Sequence, residues 1–254
     1  MFLPWTIGSI ARIPVRLHWS FFLVAGVWVY LAERSGGSGL DYGWSFAFVL
    51  MLILSVLLHE LGHALCARYF GLETLDVTLS PLGGLARFRG YPTSPTHDLW
   101  IAAAGPLTNL LIALPLLLVW SPERIRAFWW EYSNGIQVLE LRSDSMLLYL
   151  LGFNFLMFAF NLLPAFPLDG GRILRALLQF RFDRLLATRV ATRIGQSFGI
   201  GLIALSLSSD APDYPLYGFG LFGGFLIYLG ETEYRGLRYY EQLKRREPDH
   251  PDAG

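Results

Sequence analysis

Two histidines and a glutamate form the pattern His-Glu-x-x-His at residues 59–63, inside an apolar stretch from about Trp44 to Phe70. Residues four apart lie one turn apart on the same face of a helix, so the His59 and His63 side chains can converge on one metal ion. In this pattern two imidazoles bind zinc while the glutamate, here Glu60, acts on the water that zinc activates. Because the short pattern also recurs by chance, its surroundings must support this interpretation.

The apolar surroundings of His59, Glu60 and His63 make it energetically unfavourable to place these ionisable side chains there. An ionisable side chain near the centre of a bilayer costs at least ~2.5–3.5 kcal/mol on insertion scales. One alternative is a polar cluster whose hydrogen bonds are satisfied by neighbouring helices. Metal ligation compensates the buried polar groups directly and gives Glu60 a task, so the sequence favours a metal site.

A catalytic zinc ion usually has three protein ligands and keeps one position open for water. The candidates for a third ligand are His18, His97, Asp98, Asp169 and His250. His18 and His97 lie near predicted helix starts, where histidine is more often interfacial. Asp98 fits an acid at the N-cap or first turn of a helix, and His250 lies in a polar tail.

Asp169 stands apart from the other candidates because it follows two prolines in NLLPAFPLDGGR, residues 161–172. Proline removes backbone hydrogen bonds, and Gly170 and Gly171 permit unusual dihedral angles, so the chain can bend to present the carboxylate. The alternative, an aspartate that caps a short helix starting at Gly170, is compatible with ligation. The sequence favours Asp169 as the third ligand.

The composition indicates a membrane protein. The 254 residues are 54% hydrophobic and 16% charged, with a mean hydropathy of +0.42, whereas soluble domains are about 25% charged. A spanning helix needs about 20 apolar residues. The sequence predicts an all-α polytopic membrane protein with six transmembrane helices at about 17–32, 44–68, 99–120, 146–166, 190–208 and 215–231. The first run lacks an A-x-A-like cleavage site and is interpreted as a span that stays.

The distribution of charge predicts the orientation of these spans. With the N-terminus in the cytoplasm, 16 of the 20 basic residues fall on the cytoplasmic side, as the positive-inside rule expects. Both termini are therefore predicted to be cytoplasmic, with a core at 1–235 and a polar tail at 236–254. The net charge is zero and gives no indication of partners. The single cysteine, Cys66, allows no internal disulfide and is interpreted as an apolar filler.

The segment from Glu73 to Pro95 does not look like a span. Its β-branched residues near the start, loose alternation and turn at PLGG predict a small membrane-associated β-hairpin or re-entrant loop on the cytoplasmic side. An irregular connector is the alternative. An exposed hairpin edge that contains Gly83 and Gly84 could bind an extended substrate through main-chain hydrogen bonds.

Four motifs in order resemble the site-2 proteases, the zinc intramembrane metalloproteases. They are HELGH in an early helix, SPLGG in the β-loop, AAGPLTN at residues 103–109 and N-x-x-P-x-x-P-x-D-G in a later helix. The resemblance covers about residues 1–235. It departs from many members because the loop at 121–145 is too short for a PDZ domain and only about 20 residues follow the last helix, too few for CBS modules. The expectation is a minimal member.

The resemblance implies roles for individual residues. His59, His63 and Asp169 would bind one Zn²⁺ per chain, with Glu60 as the general base. Asn161 would help to bind substrate or stabilise the oxyanion. Asn109 would support the substrate or the site, an interhelical hydrogen bond being the alternative for this residue.

The expected function is zinc-dependent cleavage of peptide bonds in or near transmembrane segments of other proteins. The expected partners are a transmembrane protein substrate and the lipid bilayer, with no nucleic acid, and the oligomeric state stays open. The expected location is a bacterial inner or cell membrane. Two alternatives remain, a zinc transporter or channel and a non-catalytic zinc-binding scaffold. A transporter would leave Glu60 without a role, and the sequence contains no recognisable doubled repeat.

Overall fold

The computed structural model describes residues 4–20, 26, 30, 39–80, 83–133, 143–208 and 217–246. This part of the chain is mostly helical and contains a four-stranded sheet. In chain order the elements are β1 (Trp5–Ile10), β2 (Ile13–Leu17), α1 (Gly39–Tyr69), β3 (Thr74–Ser80), β4 (Gly83–Phe88), α2 (Pro95–Val119), α3 (Pro122–Ser133), α4 (Ser143–Asn161), α5 (Asp169–Leu178), α6 (Arg184–Ser208) and α7 (Tyr217–Arg246).

The sheet confirms the predicted hairpin and corrects the all-α prediction. Its strand order is β1-β2-β3-β4. Because β3 pairs antiparallel with β4 from Thr74↔Phe88 to Ser80↔Gly83, the alternative prediction of an irregular connector is wrong. The N-terminal residues add two further strands, and β2 pairs parallel with β3. The alternation of Ile13, Val15 and Leu17 places apolar side chains on one face of β2, and this pattern belongs to a strand rather than to the start of a span.

Three predicted spans are helices long and apolar enough to cross a membrane, at Phe46–Tyr69, Pro95–Val119 and Arg184–Ser208. The predicted fourth span extends too far, to residue 166, whereas α4 ends at Asn161. The cause is Pro164, because a residue before proline is disfavoured in the helical region. Residues 217–231 of the sixth lie in α7, which continues to Arg246. Most of the first, 17–32, falls outside the described residues, so six spans are not confirmed.

The described residues within 1–69, 73–88 and 104–158 form one compact unit of the chain. Within it the sheet packs on α1 through a buried apolar cluster whose members are Ile13, Val15, Ala64, Val77 and Leu79. The Thr74 hydroxyl also donates to the Ala64 carbonyl at 3.2 Å. These contacts hold the hairpin of β3 and β4 beside the half of α1 that carries the His-Glu-x-x-His pattern.

The described residues within 70–72, 89–103 and 159–254 form a second unit. A buried ion pair lies within it: the Arg175 guanidinium, 3% exposed, donates to both carboxylate oxygens of Asp98 at 3.1 and 3.0 Å. Arg175 also donates to Glu233 at 3.1 Å, and Gln179 donates to Asp98 at 2.7 Å. A buried charge is stable only when it is paired and hydrogen-bonded, and this network provides both.

A second carboxylate, Asp76 on β3, holds three strands of the sheet together. Its side chain is 2% exposed and forms ion pairs with Arg87 on β4 and, at 3.2 Å, with Arg16 on β2. The hydrogen bond from Arg87 lowers the pKa of the Asp76 carboxyl below its ordinary value. The stability that this carboxylate contributes is therefore present above its unfolded pKa of about 3.9 and is lost as pH falls toward the lowered folded pKa.

Replacing Asp76 with asparagine should lower the free energy of unfolding at neutral pH by about 1 kcal/mol, because the exposed arginine partners are screened by solvent. The measurement is thermal unfolding of the detergent-solubilised protein from about pH 7 down to about pH 3. The wild type should lose more stability than Asp76→Asn over this range, so that the two midpoints converge at the acid end. Parallel curves for the two proteins would contradict this assignment.

Candidate metal centre

His59 and His63 lie on one face of α1 and are buried, with 3% and 2% of their surfaces exposed. Their rings meet edge to face, and the two Nε2 atoms are 3.2 Å apart. Two nitrogen ligands that are each ~2.0–2.1 Å from a tetrahedral zinc ion lie about 3.3–3.4 Å from one another. The observed spacing therefore fits two ligands of a single ion.

The second nitrogen of His59 contacts Asn109, which is fully buried on α2. His59 Nδ1 lies 2.5 Å from Asn109 Oδ1, and Asn109 Nδ2 donates to Asn154 Oδ1 at 2.9 Å. Histidine ligands of metals almost always use their other ring nitrogen in this way, which fixes the orientation of the ring. Asn109 thus makes the hydrogen bond between helices that the sequence left as its alternative role. A contact of Asn109 with substrate stays a prediction.

The backbone of α2 comes unusually close to these imidazoles at Gly105, in the Ala-Ala-Ala-Gly-Pro stretch. A Cβ atom at this position would overlap His63 and would lie 2.7 Å from His59 Nε2. A Cβ on Gly62 of α1 would lie 2.7 Å from the Ala104 carbonyl oxygen. Small residues let membrane helices approach closely. The sequence interpretation missed Gly105 as a site residue, and the run of small residues was the available signal.

Glu60 points toward the hairpin. It is 7% exposed, and its Oε2 accepts a hydrogen bond from the Ala86 backbone N–H of β4 at 2.9 Å. A Cβ on Gly84 would lie 2.6 Å from Glu60 Cδ, so the glycine leaves the space that the carboxylate occupies. Gly83 has a φ of 126° at the start of β4, which favours glycine. The predicted general base and the predicted substrate loop are thus in contact.

Replacing Gly84 with alanine should displace the Glu60 carboxylate while leaving His59 and His63 in place. We expect the predicted peptidase activity to fall about 10-fold, less than the ~10²-fold that a 1 Å displacement can cost, because the flexible Glu60 side chain can partly adjust. The measurement is cleavage rate together with zinc content. Gly8→Ala is the control, since Gly8 also lies in a strand but has open space around it. Equal rates for both variants would contradict the role of Gly84.

Asp169 lies in the second unit, where it starts α5 and is 6% exposed. Leu168 occupies the N-cap position, so Asp169 is not the capping residue that the sequence offered as an alternative. In the first helical turn the positive end of the helix dipole favours its ionised carboxylate, and Arg172 lies 3.6 Å away. Asp169 as the third metal ligand beside His59 and His63 stays a prediction, and its carboxylate is a side chain of the type that completes such a ligand set.

Gly170 and Gly171, the two glycines after Asp169, allow close backbone packing rather than the predicted unusual dihedral angles. Positive φ values occur at Gly71, Gly83 and Gly90 among the described glycines, and not at Gly170 or Gly171. A Cβ on Gly170 would instead overlap the carbonyl oxygens of Leu162 and Leu163, and one on Gly171 would lie 2.7 Å from the Phe166 nitrogen. The expectation of unusual dihedral angles is wrong. The glycines let the start of α5 pack directly on the preceding turn.

The remaining candidate ligands are engaged elsewhere or lie outside the described residues. His18 Nδ1 is 2.5 Å from the Ser20 hydroxyl, and the His97 ring stacks on Phe70 at a centroid distance of 4.2 Å. Asp98 is paired with Arg175 as described above, and His250 falls outside the described residues. Asn161 ends α4 and is half-buried, and its predicted role toward substrate stays a prediction.

Comparison with known proteins shows which family the chain belongs to. The family model of peptidase family M50 matches residues 47–123 and 130–206, which include His59, Glu60, His63 and Asp169. The chain belongs to peptidase family M50. Its fold also matches a solved site-2 protease from Methanocaldococcus jannaschii with a TM-score of 0.61 and 30% identity, covering 91% of this chain and 95% of that one.

Two curated relatives of this M50 chain are longer than it is. A zinc metalloprotease of Methanocaldococcus jannaschii is 35% identical over 201 residues, which are 79% of this chain and 53% of the relative. A relative from Synechocystis is 31% identical over 251 residues, which are 94% of this chain and 62% of its own length. The chain thus spans about half to three-fifths of these relatives. The resemblance to site-2 proteases is confirmed, and zinc is the metal that the family implies.

Proposed function

We propose that this M50 chain is a zinc-dependent endopeptidase that cleaves other proteins in or near their transmembrane segments. The observation that carries the proposal is the pair of buried Nε2 atoms of His59 and His63, 3.2 Å apart, with Glu60 between them in the chain. His59, His63 and Asp169 would hold one zinc ion. The solved structure that this chain resembles is named a site-2 protease.

The chemistry divides between the metal and Glu60. Zinc, when bound, supplies Lewis-acid activation of a water molecule and of the scissile carbonyl. Glu60 accepts the proton from the attacking water and then returns it to the leaving amine. Within the described parts of the chain, the Ala86 N–H holds one oxygen of this buried carboxylate, and the other oxygen can take the proton.

The contact between Glu60 and β4 supports a binding mode for the substrate. A helical substrate must first unwind, because its carbonyls are bonded within the helix. An extended segment can then add to the edge of a sheet through main-chain hydrogen bonds. β4 is at an edge of the described sheet, and its Ala86 touches Glu60, so a strand added there would run past the general base.

The location proposed for this chain is a bacterial inner or cell membrane, with both termini in the cytoplasm. Three long apolar helices and the excess of basic residues in the segments assigned to the cytoplasm support it. Reporter fusions at the C-terminus test the orientation. A fusion that is active only outside the cytoplasm would contradict it.

The experiment that tests the function uses the purified chain with a model transmembrane substrate in liposomes. We expect about one zinc ion per chain, cleavage of the substrate within or beside its apolar segment, and loss of cleavage when a chelator removes zinc. Zinc flux across the liposomes without cleavage would favour a transporter. A zinc-loaded chain that neither cleaves a panel of transmembrane substrates nor transports zinc would favour a scaffold.

A further inference from the structure

A chain of hydrogen bonds continues from His59 beyond Asn109 into α4. Asn154 is fully buried there, and its Oδ1 accepts from Asn109 Nδ2 at 2.9 Å. On its other side, Asn154 Nδ2 donates to the Leu150 carbonyl oxygen at 2.9 Å and to the Ser55 hydroxyl at 3.1 Å. All these groups lie within the first unit. Neither sequence motif nor proposed mechanism uses Asn154.

The Leu150 carbonyl fixes which way the Asn154 amide faces. A backbone carbonyl can only accept hydrogen bonds, so the atom of Asn154 beside it must be the NH₂ group. If the amide turned over, two acceptor oxygens would face one another at a fully buried position, which is unfavourable. The oxygen of Asn154 is therefore directed at Asn109.

The same reasoning passes through Asn109 to the metal ligand. With its NH₂ group donating to Asn154, Asn109 can present only its oxygen to His59 Nδ1. A neutral imidazole carries one N–H, and an acceptor at 2.5 Å requires that this hydrogen be on Nδ1. His59 Nε2, which faces His63 Nε2 at 3.2 Å, then carries the lone pair that can bind a metal.

We infer that Asn154 is a positioning residue that sets the tautomer of His59 through Asn109 and so prepares Nε2 for the metal. The inference rests on the proposed function, because it assumes that His59 is a zinc ligand. Without Asn154 the Asn109 NH₂ group keeps, among its described partners, the Met157 sulfur at 3.8 Å. A thioether sulfur is a weak acceptor, so it does not prevent Asn109 from turning over and donating to His59 Nδ1. The imidazole hydrogen would then reside on Nε2, where it must be removed before zinc can bind.

Asn154→Leu tests the inference, because leucine is similar in size but has no acceptor for Asn109. Zinc affinity is measured by competition with a chromophoric chelator in detergent, and ¹⁵N NMR of histidine-labelled apoprotein at about pH 8 reports the neutral tautomer. The His59 signals are assigned by their absence in His59→Gln. We expect zinc affinity to fall 10- to 100-fold, the usual range for partners behind the ligands, and part of His59 to change to the Nε2–H form.

A second variant, Asn154→Ser, distinguishes loss of the hydrogen bond to Asn109 from a general folding defect. In Asn154→Ser the hydroxyl can still donate to the carbonyl four residues earlier but is too short to reach Asn109, so both signatures should appear in this variant as well.

A double variant separates the tautomer from simple packing. In Asn109→Asp/Asn154→Leu the carboxylate has no donor face and must accept from His59 Nδ1, whatever lies behind it. Zinc affinity and the Nδ1–H signature should then return toward the wild type. Weak zinc binding with a wild-type tautomer in Asn154→Leu, or no recovery in the double variant, would overturn the inference. A wild-type chain without zinc affinity would overturn the proposed function itself.

Discussion

Replacing Glu60 with glutamine will abolish peptide hydrolysis while zinc stays bound. Glutamine has the same shape, and its amide oxygen can still accept from the Ala86 N–H that now bonds Glu60 Oε2 at 2.9 Å. It cannot take a proton from the attacking water, and a general base contributes about 10²- to 10⁴-fold to the rate. Cleavage of a transmembrane substrate should therefore fall by about 10³-fold or more at unchanged zinc content.

The control for this variant is a glutamate without a place in the centre. Glu123 on α3 forms an exposed pair with Arg126, and both side chains are more than 70% exposed. Such surface pairs contribute little to stability, so Glu123→Gln should match the wild type in rate and zinc content. Full activity in Glu60→Gln would mean that the base is another residue or that the activity comes from a contaminant. Loss of zinc from Glu60→Gln would show that Glu60 supports the metal rather than the proton transfer.

The local part of the centre could be predicted from the sequence, because a helix fixes the spacing of His59, Glu60 and His63 without help from the rest of the chain. Asp169 was favoured for a similar reason, since the prolines before it end one helix and allow another to start. The dihedral argument for Gly170 and Gly171 failed because a glycine pattern does not distinguish unusual φ values from close backbone contact. Only the packing of α5 on residues 162–166 decides between them.

The N-terminal half of the sheet could not be predicted in the same way. The strand β2 pairs in parallel with β3, and Val15 opposes Val77; such long-range pairing leaves no local signature beyond weak alternation. The apolar run from Leu17 is a stronger signal than this alternation, and it places Leu17 at the start of a predicted span rather than at the end of a strand. The strands matter for function, since the apolar cluster of β2, β3 and α1 holds β4 against Glu60.

Two polar residues in apolar helices, Ser55 and Asn154, are a sequence signal that lies outside the four motifs. Ser55 precedes His59 by about one turn on α1. Asn154 precedes Asn161 by about two turns on α4. Polar side chains in such helices usually face other helices and pair there. Their meeting point still depends on how α1, α2 and α4 cross, which sequence spacing on separate helices does not determine. The structure is what connects Asn154, Asn109 and His59 into one chain.

Replacing Gly105 with alanine should lower zinc affinity more than Gly84→Ala does, although each substitution adds a single methyl group. The added Cβ would overlap His63 and lie 2.7 Å from His59 Nε2, so it meets both imidazole rings at the nitrogens that would bind the ion. Unlike the Glu60 side chain beside Gly84, these rings are rigid, and His59 is also tied to Asn109 through Nδ1. We expect zinc affinity to fall about 100-fold, the upper end of the range for changes around metal ligands, with activity lost in parallel.

Gly201→Ala is the matched control, because Gly201 lies in helix α6 with no atom close to its would-be Cβ. Alanine in an open helical position is neutral or stabilising, so zinc affinity should stay at the wild-type value there. The comparison with Gly84→Ala then separates the two halves of the centre. A methyl group at Gly84 should reduce the rate with zinc still bound, and a methyl group at Gly105 should release the zinc. If Gly105→Ala kept its zinc and lost only rate, the two imidazoles would not be the groups that bind the metal, and the proposed ligand set would be wrong.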